Sequence, residues 1–247
     1  MYRTRIIPNT PALLAEGDRR ILVVADLHLG FEAGLAANEI FTGKNSAIPY
    51  TAREIIQLVE SQRCDSVLLL GDVKSSIKRI SKSEWDIVPA FFKEISKKCD
   101  VSLVPGNHDS NIERLIPNDI TMAGPSGIIE KDTLFTHGHA MPSENFGCVD
   151  RIVMGHIHPT YFEKGSVLNG QRVWVSILAQ KEDIFPSRSG EIEIIVMPSF
   201  NRYFFATHKI HSKSISPIIK RIKKCRARIT TLDGYIIGDE SVLERVI

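Results

Sequence analysis

The sequence predicts an α/β fold, and three observations carry that prediction. Short runs of Val, Ile and Leu, such as Ile21 to Ala25, Val67 to Leu70 and Val101 to Val104, end abruptly in polar residues, which marks strands buried on both faces. Between these runs lie stretches whose apolar residues recur at helical spacing. Beyond about Ser110 the chain turns mostly to short strand-like segments, so the second half is expected to be rich in β-structure.

The 247 residues, 43% of them hydrophobic, can bury a full core. One domain over 1–247 is expected, with a C-terminal helix and hairpin appended from about residue 212. Lys and Arg total 31 against 29 acidic residues, a net charge of +2, so the chain as a whole sets up no strong field toward nucleic acid or a membrane surface. Cys64, Cys99, Cys148 and Cys225 form no C-x-x-C pair, which suits a reducing, cytoplasmic setting. Met1 to Glu16 holds no apolar leader core and no stretch approaches the length of a membrane span; no membrane partner is expected. The oligomeric state is not encoded legibly.

Arg3 to Ile7 and Ala12 to Leu14, with Glu16-Gly17-Asp18 as a turn into Ile21 to Ala25, read as a hairpin edge. Gly30 to Ile48 reads as a long rim or lid, with a helical turn near Phe31 to Asn38 and with Lys44 facing the cleft. Thr51-Ala52-Arg53-Glu54 has the form of a capping box and predicts a helix over Ile55 to Arg63. After Val67 to Leu70, the polar and basic Lys74 to Lys82 leads to a second helix from Ser83, with Trp85, Val88, Phe92 and Ile95 on one face and Pro89 expected to bend or shorten it. Ser110 to Ile116 reads as a short helix. Strands are expected over Asp119 to Met122, Gly127 to Ile129, Leu134 to Thr136, Ile152 to Met154, Tyr161 to Glu163, Arg172 to Ile177 and Ile192 to Met197. Ile215, Ile218, Ile219, Ile222 and Cys225 predict a helix whose other face carries Lys220, Arg221, Lys223 and Lys224 in a solvated basic run reaching Arg228. Asp233-Gly234 predicts a closing hairpin.

Five of these strands end in groups that seek metal. Asp26 and His28 follow the first, Asp72 the second, Asn107 the third, His137 the strand over Leu134 to Thr136, and His156 and His158 the strand over Ile152 to Met154. Groups at the carboxyl ends of strands converge in the crevice where open α/β sheets bind ligands. Asp, Asn and His offer oxygen and imidazole nitrogen but no sulfur, which suits Mn, Fe, Ni, Co or Zn. Seven candidates, Asp26, His28, Asp72, Asn107, His137, His156 and His158, are too many for one tetrahedral zinc site and fit two ions sharing a carboxylate, for which the isolated Asp72 is the natural bridge. In Asp26-x-His28 and His156-x-His158, alternate residues of an extended backbone would face the same way. His208 and His211 are assigned no role.

The blocks Asp26-Leu27-His28, Gly71-Asp72, Gly106-Asn107-His108-Asp109, His137-Gly138-His139 and Gly155-His156-Ile157-His158, in this order, resemble the signature of the calcineurin-like metallophosphoesterase superfamily. More narrowly, Asp26-Leu27-His28-Leu29-Gly30-Phe31-Glu32, Gly71-Asp72-Val73-Lys74, Met197-Pro198-Ser199-Phe200-Asn201 and Leu232-Asp233-Gly234 resemble an archaeal branch, related to the double-strand-break-repair nuclease subunit and to bacterial ligase-associated phosphoesterases. The resemblance implies a four-layer α/β/β/α sandwich with two mixed β-sheets and two divalent metal ions, Mn²⁺ first, with Ni²⁺, Co²⁺, Fe²⁺ or Zn²⁺ as alternatives.

It further implies that Asp26, His28 and His158 hold one ion, that Asn107, His137 and His156 hold the other, and that Asp72 bridges. His108 would protonate the leaving oxygen or steady the transition state, oriented by Asp109. His139 and Lys74 are candidate substrate contacts, although Lys74 also reads as a solvated turn lysine. The implied activity is hydrolysis of a phosphodiester or phosphomonoester, with nucleotides and nucleic acid among the candidate substrates. One alternative is a DNA nuclease acting in repair with partner proteins; Val73-Lys74-Ser75-Ser76, where the nuclease relatives carry an acidic or imidazole residue, departs from it. The other is a non-catalytic interaction scaffold, which an intact ligand set disfavours.

Overall fold

A computed structural model of the chain describes residues 2–31, 50–203 and 216–247. Among these, two mixed sheets lie face to face. The first has six strands: β1 (Arg3–Ile6), β2 (Ala12–Glu16) and β3 (Arg20–Ala25) form an antiparallel meander, and β3 continues in parallel to β4 (Ser66–Leu70), β5 (Asp100–Val104) and β6 (Thr121–Met122). Helices α1 (Tyr50–Gln62) and α2 (Lys82–Ile95) lie in the crossovers on either side of β4. The second sheet runs in the order β14 (Ile236–Asp239), β13 (Cys225–Thr231), β11 (Gln171–Gln180), β12 (Glu191–Val196), β9 (Arg151–Met154), β8 (Thr133–Thr136), β7 (Ile128–Glu130), with β10 (Thr160–Tyr161) added beside β11. In it β9 is parallel to both β8 and β12, while its other pairings are antiparallel.

The two-residue repeat of a strand explains the core. In β2 to β4, Leu13, Ala15, Val23, Ala25, Leu68 and Leu70 face the second sheet, where Phe135, Val153, Trp174, Ile195 and Met197 meet them. The alternate residues Ala12, Leu14, Leu22, Val24, Val67 and Leu69 face Ile55 and Val59 of α1 and Val88, Phe91, Phe92 and Ile95 of α2. Both faces are therefore buried, which is why these strands read as unbroken apolar runs. On the outside of the second sheet, Val173, Val175, Ile177, Ile192 and Ile194 are covered by Ile218 of α3 (Pro217–Arg221), Phe185 and Val246. That fourth layer is built of short helical turns rather than long helices. No described helix is long and apolar enough to cross a membrane.

Several local expectations need correction. Thr51 lies inside α1, which already includes Tyr50, so it does not cap that helix. The capping box forms one helix later, where the Ser81 side chain accepts from the Glu84 amide and the Glu84 carboxylate accepts from the Ser81 amide. Pro89 does not shorten α2, which continues to Ile95. The carbonyl a proline leaves without its helical partner is that of residue 85, and Trp85 is 49% exposed, so water can take the amide's place. The same exposure removes Trp85 from the buried face, where Phe91 stands instead. The predicted C-terminal helix is only five residues long. Ile218, Ile219 and Ile222 do pack on the second sheet, but from Cys225 the chain is claimed by β11, with Cys225 opposite Ala179. Arg226 and Arg228 are accordingly strand residues. The expectations for Glu32 to Ile48, including Lys44, and for His208, His211 and Ile215 fall outside the described residues.

Candidate metal centre

The carboxyl ends of β3, β4 and β5 in one sheet and of β8 and β9 in the other open on the same edge of the sandwich. Asp26 follows β3, Asp72 lies just past β4, Asn107 past β5, His137 directly after β8 and His156 past β9. Convergence comes from two sheets, not one. The turns that carry the side chains are also not extended. Asp26 (φ 58°), His28 (43°), Asp72 (47°), His156 (70°) and His158 (53°) all adopt left-handed backbone, so the alternating-strand reading of the two D-x-H and H-x-H pairs is wrong. Side chains other than Gly rarely occupy this region, and where they do the strain tends to mark a functional site. Five of the nine such residues in the described chain belong to this one cluster. The backbones also approach the carboxylates closely: a Cβ on Gly106 would overlap Asp72 Oδ1, and one on Gly155 would stand 2.6 Å from Asp26 Oδ2.

The donor atoms form two groups that share Asp72. In the first, one ligand atom each from Asp26, His28, Asp72 and His158 lies within 4.8 Å of every other; in the second, the same holds for Asp72, His137 and His156. His28 Nε2 and His158 Nε2 are 3.3 Å apart, and His158 Nε2 is 3.3 Å from Asp26 Oδ1. His137 Nε2 is 3.3 Å from both Asp72 Oδ1 and Asn107 Oδ1, which brings Asn107 to the second group. His137 Nδ1 lies 3.0 Å from the Leu70 carbonyl. Donating its proton there leaves the Nε2 lone pair aimed at the cluster, the usual arrangement for a ligating imidazole.

Electrostatics and burial fit a cation. Asp26, His28 and His137 are fully buried and Asp72 is 2% exposed, and Asp26 Oδ1 accepts no hydrogen bond among the described residues. Burial alone would raise the Asp72 pKa, but His137, His28 and His108 hold it well below the usual carboxylate range. Burial likewise opposes charge on His137, yet Asp72 and Asp26 raise it to about 9. Burial and the His137 charge push His156 down to about 4, and burial with His158 takes His28 well below its ordinary value. Positive charge is thus drawn between the two carboxylates, and the imidazoles around them are held as neutral donors. A divalent ion answers both conditions.

The remaining predicted residues are placed as follows. His108 Nε2 is 3.8 Å from Asp72 Oδ2, its ring centre is 5.0 Å from that of His28, and its Nδ1 is 2.6 Å from the Ser75 carbonyl oxygen. Asp109 does other work than the sequence suggested: its two oxygens accept the backbone N–H groups of Val73, Lys74 and Gly106 at 2.9, 3.2 and 2.8 Å, tying the Asp72 loop to the Asn107 loop. Burial, with Asp72 nearby, raises its pKa to about 6. Lys74 is not a solvated turn lysine. Its side chain is fully buried and its Nζ donates to the Ser76 carbonyl. His139 stands beside the second group, 5.2 Å from the His137 ring and 6.1 Å from the His156 ring.

Sequence reasoning gave no role to four supporting residues. Glu84, 1% exposed, accepts from the amides of Ser75 and Ser76 at 2.9 and 2.7 Å and so fixes the loop whose Ser75 carbonyl meets His108. Ser199 and Asn201 donate to carbonyls of the Asp26 turn, and Arg172 donates to the carbonyls of Ser199 and Phe200. The only signal for any of them was the Met197 to Asn201 segment, quoted for its resemblance alone.

Comparison with known proteins gives the following. The sequence profile described as calcineurin-like phosphoesterase matches residues 19–184. No curated protein sequence matches the chain. Among solved structures, the Pseudomonas putida nuclease MPE is similar at a TM-score of 0.55 and 18% identity, over 96% of this chain and 100% of that one. The phosphoesterase YfcE of E. coli aligns at a TM-score of 0.37 and 14% identity, over 90% and 98%. At this identity the first likeness bears on the fold alone.

Proposed function

Since the chain belongs to the calcineurin-like phosphoesterase family, we propose that it is a dinuclear metal-dependent phosphoesterase whose favoured reaction is hydrolysis of a phosphodiester. The observation that carries this reading is the pair of donor groups sharing Asp72, buried except for the half-buried His158, with every member but His137 on left-handed backbone. In the proposal Asp26, His28 and His158 hold one ion, Asn107, His137 and His156 the other, and Asp72 spans both. Mn²⁺ is the favoured ion on the family resemblance; the donors, oxygen and imidazole without a thiolate, suit Fe²⁺, Co²⁺, Ni²⁺ and Zn²⁺ as well. When bound, two such ions supply Lewis acidity and a water made nucleophilic near neutral pH.

The chain's own residues do the rest. His108 Nδ1–H donates to the Ser75 carbonyl, so in the imidazolium form Nε2, 3.8 Å from Asp72 Oδ2, is the nitrogen that passes a proton to a leaving oxygen. Asp109 keeps the loops of Asp72 and Asn107 in fixed relation, which holds the two donor groups at a constant separation. Turnover of bis(p-nitrophenyl) phosphate by the metal-stripped protein, refilled in turn with Mn²⁺, Ni²⁺, Co²⁺ and Zn²⁺, tests the reading. No product with any of them would end it.

A nucleic-acid substrate is the second reading. Lys78 and Arg79 are exposed on the loop that reaches His108 through Ser75, and the exposed Lys82 and Trp85 follow at the start of α2. Cations beside an aromatic suit the backbone and bases of a single strand. Cleavage of a labelled oligonucleotide, weakened by Arg79→Ala and by added salt, supports this reading; cleavage of only small phosphodiesters removes it.

A further inference from the structure

We infer that Ser199 and Asn201, which lie beyond the stretch matched by the family profile, are positioning residues that hold the Asp26-Leu27-His28 turn and thereby one of the two ion sites. The inference rests on the two-ion reading above.

The turn is left-handed at both Asp26 and His28, a conformation that persists only when its surroundings over-determine it. Its amides go to the first sheet's next loop: Asp26 N donates to Gly71 O at 3.2 Å and His28 N to Asp72 O at 2.8 Å. Its carbonyls go the other way, to the segment that leaves β12 in the second sheet. Ser199 Oγ donates to Asp26 O at 2.9 Å, Asn201 Nδ2 to Leu27 O at 3.0 Å and to His28 O at 3.4 Å, and the Asn201 amide to Asp26 O at 3.3 Å. The Phe200 amide adds a bond of 2.9 Å to Ala25 O. Both side chains are buried, Ser199 at 1% and Asn201 at 4% exposure. Behind them, Arg172 Nη1 donates to Ser199 O at 2.8 Å and to Phe200 O at 3.0 Å, so the segment that grips the turn is itself gripped from β11.

The consequence is asymmetric. Asp26 and His28 belong only to the group completed by Asp72 and His158, while His137 and His156 stand on other loops. Removing the Asn201 side-chain amide leaves the buried Leu27 carbonyl without its donor and His28 O with the Phe31 amide alone, which lets the turn relax toward ordinary backbone. This swings two ligands of one ion, while the other group is reached only indirectly, through the His156 amide that donates to Asp26 Oδ2. A residue that merely stabilised the fold would weaken both sites together or neither.

The test is a two-site Mn²⁺ titration of the full metal-free chain, read by calorimetry and by bound metal per chain. The wild type takes up two ions. In Asn201→Ala one site is expected to weaken by about tenfold or more, the size usual for residues that orient ligands, while the other stays within about twofold; Ser199→Ala, which removes one hydroxyl, shifts the same site less. Ile194→Val, in the outer core of the second sheet, serves as a control of ordinary destabilisation. Two sites unchanged in both variants, or two sites weakened equally, overturns the inference while leaving the hydrolase reading intact. A wild-type chain that takes up no ion removes that reading and the inference with it.

Discussion

Nδ1 of His108 lies 2.6 Å from the carbonyl oxygen of Ser75, and this backbone group fixes the ring of the proposed proton donor. Its Nε2 is left facing Asp72 Oδ2 at 3.8 Å. Replacing the imidazole removes a proton carrier but no member of either donor group. His108→Ala is therefore expected to keep its metal content by elemental analysis and to lose about 10²- to 10⁴-fold in turnover. Unchanged turnover would remove the acid role.

Asp72 is common to both donor groups, and in the metal-free protein its carboxylate is the largest influence raising His137 to about 9 against the effect of burial. With Asp72→Asn, only Asp26 and the Leu70 carbonyl still oppose burial. The His137 pKa is then expected to fall clearly below about 9, which NMR titration of the metal-free variant reads directly. Uptake of both ions should weaken together. A His137 that still titrates near 9 would show that Asp72 is not its counter-charge.

Gly106 sits where a Cβ would overlap Asp72 Oδ1 and approach His137 Nε2 to 2.9 Å. These neighbours are buried and already fixed by hydrogen bonds, so they have little room to give. Gly106→Ala is expected to cost about 1–3 kcal/mol of stability, as overpacking usually does, and to reduce metal uptake. A variant with wild-type melting and two bound ions would contradict the geometry.

Glu84 governs the acid side of stability. Burial would raise its pKa, but the hydrogen bonds from Ser76 and Ser81 outweigh that and hold it below the ordinary glutamate value of 4.5. A carboxyl depressed in the folded state contributes stability that is fully present above its unfolded pKa and is lost as pH falls through the folded one. Glu84→Gln should thus melt lower than the wild type at pH 6 and above, by about 1–3 kcal/mol for a charge-assisted buried network. The gap should narrow as pH drops below about 4.3. A gap that stays constant to pH 3 would show that the Glu84 charge contributes nothing.

Much of the site was legible because the sequence writes it locally. An apolar run that ends in Asp, Asn or His is a strand with donor atoms at its tip, and five such runs carry Asp26, His28, Asp72, Asn107, His137, His156 and His158. The Asp233-Gly234 hairpin was legible for the same reason: Gly234 at φ 95° meets a local backbone demand. Capping was harder. Thr51 and Ser81 both precede a Glu at the right spacing, and only the extent of each helix tells them apart.

What the sequence by itself determined was which side chains gather and at which ends of which strands. Only the tertiary structure decided that three of the five tips come from one sheet and two from the other, that their turns are left-handed rather than extended, that Asp109 staples loops, and that Lys74 is buried. The reason is physical. Hydrophobic period and residue type are properties of a few neighbouring residues, whereas the partner of a carbonyl at Asp26 or Ser75 is set by chain segments as far away as Ser199 or His108, which no local pattern specifies.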